Sequence, residues 1–134
     1  MAKILETYKR KFEVQDRTAI DTAVLESVPL AESQVVQVET LLSSEEFTSS
    51  CPLSGLPDFG VLKIKYMPDQ KVVEMKSLKL YITSFRNVGI FMEEATQKIC
   101  EDLGNLLTPI SLEVSIDFKA RGGYTNQVSA VWTR

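Results

Sequence analysis

The segment ISLEVSIDF, from Ile110 to Phe118, alternates apolar and polar residues without interruption. A period of two is typical of a β-strand that has one buried face and one solvated face. The turn signal Arg121–Gly123 follows it, and residues 124–133 carry a second run suited to a strand. The C-terminal part of the chain therefore predicts two adjacent strands joined by a tight turn.

Two helices are predicted upstream of this pair, because the apolar period there changes to about 3.6 residues. Residues 91–103 form the second helix, with an apolar stripe at every fourth position, and Gly104 is expected to end it. The apolar side of the first helix consists of Met75, Leu78, Ile82 and Phe85. Each helix therefore has one face that can pack on a sheet.

Two more strands are predicted before the helices. Residues 35–41 are rich in β-branched residues and are interpreted as the first strand, with the polar segment SSEEFTSS, residues 43–50, as the break after it. Residues 59–66 alternate again and are interpreted as the second strand, ended by Pro68. The resulting order is β-β-α-α-β-β.

That order predicts an α+β architecture, a four-stranded antiparallel sheet with both helices on one face. Residues 34–134 would form this single domain, and residues 1–33 are interpreted as an N-terminal arm. The outer strands of such a sheet are open. Pairing with further copies into a closed, ring-shaped oligomer is therefore expected.

The composition limits the partners of the chain. It has 134 residues, 44% of them hydrophobic, which is enough apolar material for one core. Its formal net charge of −3 provides no basic field to hold a nucleic acid. Charges interrupt its first residues, and no apolar run approaches the roughly 18 residues of a membrane helix. We therefore expect a cytoplasmic protein that binds neither nucleic acid nor membranes.

The composition also limits the chemistry. The chain has no histidine and two cysteines, Cys51 and Cys100, which are far apart and outside any CxxC pair. These facts exclude Cys-His and Ser-His dyads and the usual zinc sites, so no metal is expected. Acid and base catalysis would then depend on carboxylates.

A loop rich in Pro and Gly, CPLSGLPDF, runs from Cys51 to Phe59. A thiol and a carboxyl group on one rigid loop, Cys51 and Asp58, suit nucleophilic attack with proton transfer. A buried cysteine and an aspartate that ends a turn are the alternative. The dipeptides by themselves leave both interpretations open.

The segment EMKSLKLY, residues 74–81, places Lys76 and Lys79 on one side of the first helix, where two cations can meet a phosphate. A solvated lysine face on an amphipathic helix is the alternative. Periodicity does not decide between them.

Taken together, these segments resemble the QueF nitrile reductases. The resemblance rests on CPLSGLPDF, EMKSLKLY, SFRN at residues 84–87 and FMEE at residues 91–94. It includes the E-x-K-S-L-K-x-Y pattern that is associated with NADPH use in that family. It implies a tunnel fold (T-fold), in which such subunits close into a barrel, commonly two stacked pentamers. A homo-oligomer, a pentamer or a decamer, with active sites between subunits is therefore expected.

The resemblance also implies an activity. The family reduces 7-cyano-7-deazaguanine (preQ0) to 7-aminomethyl-7-deazaguanine (preQ1) with two NADPH, in queuosine tRNA-modification biosynthesis. Cys51 would add to the nitrile carbon and form a covalent thioimide, and Asp58 would donate a proton to the nitrogen.

Two alternatives to this activity stay open. One is the related QueF-like archaeosine synthases, which add ammonia to preQ0 already in tRNA, without NADPH. The other is a non-catalytic binding protein on the same fold. The intact segment 74–81 and the acidic balance favour the reductase.

The same resemblance implies binding residues. Glu93 would accept hydrogen bonds from the deazaguanine, with Glu94 as the alternative, and Met92 stands where the family typically has a histidine. The other substrate contacts would be Val73, Glu74 and Met75. The cofactor contacts would be Lys76, Ser77, Lys79, Tyr81, Arg86 and Arg121. Cys100 is interpreted as a small apolar-like position on the second helix.

Overall fold

The computed structural model describes residues 12–134. Its strands are β1 (Ser27–Pro29), β2 (Thr40–Ser50), β3 (Pro57–Met67), β4 (Lys71–Val73), β5 (Ser111–Arg121) and β6 (Tyr124–Trp132). Its helices are α1 (Met75–Thr83) and α2 (Met92–Leu107), preceded by 3₁₀ turns at Arg17–Ala19 and Thr22–Val24. The main elements follow the predicted order β-β-α-α-β-β, and the short strands β1 and β4 add to it.

Among the described residues, β2, β3, β5 and β6 form a four-stranded antiparallel sheet in that order. The central strands β3 and β5 pair with Leu62 opposite Ile116 and Ile64 opposite Val114. These side chains are buried, whereas the lysines between them on β3 are exposed. Successive side chains of a strand point to opposite faces, so the alternation that predicted both strands is confirmed.

Both helices pack on the buried face of this sheet. Ile99 and Leu103 of α2 are fully buried, and α2 lies against β5 and β6. The ring of Phe47 on β2 lies 5.7 Å from that of Phe85, just after α1, and 6.1 Å from that of Phe118 on β5. Such aromatic pairs contribute about 0.5–1.5 kcal/mol each beyond their burial. The predicted α+β architecture is therefore confirmed.

The first strand of the sheet lies further along the chain than predicted. β2 spans Thr40–Ser50, so the polar segment interpreted as a break is the strand itself, and Val35 and Val36 are 92% and 65% exposed. β2 is an outer strand whose first seven residues are exposed or half-buried and whose buried residues lie at its end, and its backbone pairs with β3. Propensity alone therefore selected the wrong segment.

The prediction that the second helix ends at Gly104 is wrong. α2 continues to Leu107 and ends at Thr108, whose φ of 41° lies in the left-handed region, just before Pro109. A Cβ built on Gly104 would lie 2.0 Å from Cδ1 of Trp132. The glycine is therefore needed for close packing of the β6 indole on the helix, and it does not act as a stop.

The segment before β2 packs on the rest of the chain. β1 pairs antiparallel with β4, with Val28 opposite Val72, and Ile20 and Leu25 are buried in the core. Residues 1–11 of the predicted arm lie outside the described residues. The division of the chain at residue 34 stays a prediction.

The turn after β5 is the tight one that the sequence predicts. Arg121 and Tyr124 pair directly, and Gly122 and Gly123 between them have φ of 61° and 85°. Two consecutive positive φ angles are those of the hairpin turns that match the twist of paired strands, and glycine adopts them at little cost. This turn fixes the position of Arg121 at the end of β5.

Candidate active site

Cys51 lies where β2 ends and a closed loop begins. Its backbone N–H donates to the Leu56 carbonyl at 2.8 Å, and its carbonyl accepts from the Gly55 N–H at 2.9 Å. Gly55 has a φ of 77°, and a Cβ built on it would lie 2.2 Å from the Phe12 carbonyl oxygen. The loop therefore requires glycine there, and it holds the Cys51 side chain at 8% exposure.

The thiol lies inside a small polar cluster. The Ser54 backbone N–H donates to Cys51 Sγ at 3.5 Å. The Ser54 hydroxyl in turn accepts from Nη2 of Arg121 at 3.4 Å, so a strand remote in sequence reaches into the loop. We call Cys51, Ser54, Asp58 and Arg121 the thiol cluster.

Asp58 is the carboxyl group of the thiol cluster. It lies on β3, and its side chain is 3% exposed. Nη1 of Arg121 donates to its Oδ1 at 2.5 Å. A guanidinium-carboxylate contact this short combines charge and hydrogen bonding, and it offsets the cost of burying the carboxylate.

The electrostatics of the thiol cluster favour a reactive sulfur. Burial raises the pKa of the Cys51 thiol, but hydrogen bonds from Arg121, Ser54 and the Leu53 backbone outweigh it. Together they lower the pKa from its ordinary 9.0 to about 7. The same contact with Cys51 raises the pKa of Arg121, which keeps the guanidinium charged. A substantial fraction of Cys51 is therefore thiolate at neutral pH, and the thiolate is the nucleophilic form.

A cleft of about 390 Å³ lies between α1 and β2. Three of the predicted binding residues line it, namely Met75, Lys79 and Arg86. Its apolar wall includes Leu62, Ile64, Leu78 and Ile82. Two cations beside an apolar wall fit a ligand that carries phosphates and a flat ring, so the residues present here are compatible with a dinucleotide.

The start of α1 is held by its own polar side chains. The Glu74 carboxylate accepts from the backbone N–H groups of Lys76 and Ser77, at 2.9 and 2.7 Å, and caps the helix. These contacts lower the pKa of Glu74. Ser77 is buried, and its hydroxyl accepts from the Glu26 N–H at 3.0 Å. Lys76 is exposed, and Val73 is buried just before the cap.

Tyr81 is fully buried between the two helices. Its hydroxyl donates to Asp102 Oδ2 at 2.6 Å, and Asp102 also accepts from Thr22 and pairs with Lys98. Burial raises the pKa of Tyr81, and the bond to Asp102 adds to the rise. The cofactor roles of Ser77 and Tyr81 stay predictions, and their burial favours a role in fixing α1 on its neighbours.

Met92 and Glu93 begin α2 and share one partner. The side-chain amide of Asn126 on β6 lies 3.3 Å from Glu93 Oε2 and 3.3 Å from Met92 Sδ. Glu93 is exposed, whereas Glu94 is paired with Arg17 at 2.5 Å. The sequence contains one signal for Asn126, because it interrupts an otherwise apolar face of β6.

The structure thus brings the predicted residues together in separate groups. Arg121 contacts Asp58 and the Ser54 hydroxyl beside Cys51, although Arg121 was expected at the cofactor. The cleft of α1 contains none of those residues among its described lining. Ser54 and Asn126 were not predicted as part of any site.

Comparisons with known proteins identify the family. The QueF family model, described as a QueF-like protein, matches residues 57–133. A curated relative from Caldicellulosiruptor bescii is 46% identical over 122 residues, which is 91% of this chain and 92% of the relative. The chain belongs to the QueF family.

Other QueF relatives agree with this placement. A relative from Thermoanaerobacter pseudethanolicus is 41% identical, over 96% of this chain and 97% of the relative. A relative from Thermotoga maritima is 46% identical, over 85% of this chain and 82% of the relative. All three relatives are named NADPH-dependent 7-cyano-7-deazaguanine reductase. Among solved structures, the apo form of the archaeosine synthase QueF-Like superposes with a TM-score of 0.61 at 22% identity. It covers 71% of this chain and 91% of that one, which confirms the T-fold.

Within residues 12–134, no helix is both long enough and apolar enough to cross a bilayer.

Proposed function

We propose that this chain reduces the nitrile group of 7-cyano-7-deazaguanine to an aminomethyl group with NADPH, in queuosine biosynthesis. The thiol cluster is the observation that carries this proposal. It combines a sulfur whose pKa is lowered to about 7 with a buried carboxyl group on the neighbouring strand. The names of the full-length relatives support the same reaction.

The first step uses this chain's own residues. The Cys51 thiolate attacks the nitrile carbon and forms a C–S bond, and one electron pair of the triple bond moves to the nitrogen. Asp58 then delivers a proton to that nitrogen, and the product is a thioimide. The proton balances the one lost when the thiol ionises. Asp58 therefore acts as the proton carrier between sulfur and nitrogen.

NADPH would bind along α1. Two NADPH, bound in turn, would each supply one hydride to the nitrile carbon, and the C–S bond would break between the two additions, which frees Cys51 and leaves a CH₂ group. The cations Lys76, Lys79 and Arg86 would hold the cofactor's phosphates, and two of them line the cleft between α1 and β2. The Glu74 cap fixes the turn on which Lys76 lies, so these charges sit on a rigid element.

In this proposal Glu93 recognises the deazaguanine base by accepting its hydrogen bonds. Its carboxylate is exposed at the start of α2, and Glu94 is already paired with Arg17. A carboxylate acceptor rejects analogues that lack the matching N–H donors, because the acceptor would then be buried without a partner. The backbone from Val73 to Met75 would contact the same base.

We infer a closed homo-oligomer, a pentamer or a decamer, with sites between subunits. In the described part of the chain, β2 and β6 are the outer strands of the sheet, and their free edges suit pairing with further copies. The thiol cluster and the cleft of α1 share no lining residue in one chain. A second subunit against these edges would complete a site that uses both. We propose that the oligomer acts in the cytoplasm and binds no nucleic acid.

The test is substrate-dependent oxidation of NADPH. With preQ0 present, the wild-type protein should oxidise NADPH, at two per nitrile reduced, and Cys51→Ala should not. The archaeosine synthase likeness makes amidine formation the other outcome. Ammonia-dependent consumption of preQ0-containing tRNA with no NADPH oxidation would contradict the reductase.

A further inference from the structure

We propose that Arg121 is a positioning residue for the covalent step, which holds the Cys51 sulfur and the Asp58 carboxyl group as one unit before any hydride is needed. The resemblance to the family had implied a cofactor contact for this residue. The chemistry of the proposal rests on the proposed function, but the effect of Arg121 on the thiol does not.

The direction of the guanidinium is the first argument. Nη1 donates to Asp58 at 2.5 Å and Nη2 donates to Ser54 at 3.4 Å, so both terminal nitrogens point into the loop. Ser54 continues the chain of contacts to the sulfur through its backbone N–H, at 3.5 Å. A planar guanidinium holds several donors in a fixed fork that can bridge two acceptors in this way, whereas an ammonium is a compact point charge on a flexible stem and lacks that fixed geometry.

The charge of the cluster is the second argument. A thiol and a carboxyl group that lie close together resist being ionised at the same time, because the two negative charges repel each other. Arg121 from β5 donates to Cys51 and pairs with Asp58 from β3, and Ser54 and Leu53 of the loop add neutral donors to the sulfur. Arg121 is thus the cation that stabilises the Cys51 thiolate in a site that also contains a carboxyl group.

The position of Arg121 is the third argument. The residue ends β5, and the two-glycine hairpin turn pairs it with Tyr124. Its side chain is 38% exposed, and that of Asp58 is 3% exposed. Loss of the guanidinium would leave the buried carboxylate without a cation and remove the largest hydrogen bond that lowers the pKa of Cys51.

The first experiment measures the thiol directly, without substrate or NADPH. Alkylation of Cys51 by iodoacetamide is followed against pH by peptide mass spectrometry in the wild type, Arg121→Gln, Arg121→Lys and the control Lys119→Ala. Lys119 is an exposed cation on the same strand. The wild type and the control should show a midpoint near pH 7, and Arg121→Gln should raise it by about one unit or more.

Arg121→Lys should give a midpoint between those two values, because it keeps the charge and loses the bridging geometry. Cys100 serves as the internal reference for folding, since it is buried and should stay unlabelled in every folded variant. If Cys100 of Arg121→Gln is labelled, that variant is not folded, and the Cys51 profile of Arg121→Lys then tests the role of Arg121. Identical Cys51 profiles in the folded variants and the wild type would overturn the proposal.

The second experiment separates this role from a cofactor contact. Thioimide formation from preQ0 is timed by intact-protein mass spectrometry with NADPH withheld. Arg121→Gln should slow it at neutral pH by about fivefold or more, since a rise of one unit from a pKa of about 7 lowers the thiolate fraction from about one half to about one tenth. An unchanged rate together with a raised KM for NADPH would reduce Arg121 to a cofactor contact. A wild type without adduct would sink the proposed function, and the alkylation profiles would still decide the role of Arg121.

Discussion

The two cysteines of this chain are both buried, at 8% and 3% exposure, yet their chemistry differs. Burial raises the pKa of Cys100, and the nearby Glu101 charge raises it further. Burial acts in the same direction on Cys51, but Arg121 and Ser54 reverse it, and the pKa falls to about 7. Burial alone therefore makes a thiol inert, and the partners supplied by other strands make it reactive.

The difference has a structural origin. Cys51 lies at the end of β2, where a loop lets charged side chains of β3 and β5 approach it. Cys100 lies inside α2 against the sheet, and its thiol donates to the Ala130 carbonyl at 3.5 Å. A position that faces a packed sheet offers backbone acceptors and no cation. The predicted role of Cys100 as a small apolar-like position agrees with this packing, whereas the role of Cys51 as nucleophile stays a proposal.

The largest expected effect on activity follows from replacing each cysteine in turn by alanine. Cys51→Ala should abolish both the preQ0 adduct and NADPH oxidation, because no other group in the proposed mechanism can form the C–S bond. Cys100→Ala should form one adduct per chain at the wild-type rate. Intact-protein mass spectrometry without NADPH measures both. An adduct on Cys51→Ala, or its loss on Cys100→Ala, would exchange the roles of the two cysteines.

The next effect concerns the carboxyl group beside the reactive thiol. Asp58→Asn removes the proton carrier but keeps the shape of the side chain, so the rate should fall by about a hundredfold or more. Asp117→Asn is the control, because Asp117 is an exposed carboxylate on the neighbouring strand β5. The steady-state kcat with preQ0 measures the loss of rate in both variants. Near-normal turnover of Asp58→Asn would remove Asp58 from the mechanism.

A smaller effect is expected where the substrate is bound. Glu93→Leu leaves the base donors facing an apolar side chain, which costs about 1–3 kcal/mol and raises the KM for preQ0 by about tenfold to a hundredfold. Glu94→Leu loses only an exposed ion pair with Arg17 and should change the KM little. If Glu94→Leu raises the KM more than Glu93→Leu does, Glu94 binds the base in place of Glu93.

Sequence reasoning succeeded where periodicity and burial agree. The alternation of β3 and β5 and the apolar stripe of α2 predicted elements that the structure confirms, because each buries one face against the others. It failed for β2, since this outer strand has few apolar residues and is held by backbone pairing with β3. Backbone pairing leaves no local side-chain pattern in the sequence.

The candidate site shows the same limit. The loop from Cys51 to Asp58 stands out in the sequence, but nothing there indicates which cation meets it. Arg121 reaches Asp58 across a separation of 63 residues, because the register of β3 with β5 and the turn after β5 put it there. Lys76 and Lys79 were equally good candidates by composition. The partners that set the pKa of Cys51 are therefore a property of the folded sheet.

The smallest expected effect on activity tests the inert side of the comparison. Gly104 lies one turn after Cys100, and the indole of Trp132 packs on it. Gly104→Ala gains up to about 1 kcal/mol of helix propensity. However, its Cβ would lie 2.0, 2.1 and 2.4 Å from three ring atoms, so the indole must move away from α2. Overpacking of this kind typically costs about 1–3 kcal/mol, and we expect a net loss of stability.

The measurement compares Tm with the alkylation of both thiols. Gly104→Ala should lower Tm and speed the labelling of Cys100, because the contact between α2 and β6 that covers it is loosened. Labelling of Cys51 should keep its wild-type rate, since none of the partners that lower its pKa lies on α2 or β6. Asn105→Ala is the control, an exposed position on the same helix where alanine should not lower Tm. Parallel acceleration at Cys51 would mean that the two thiols open together, and their different reactivity would then not be local.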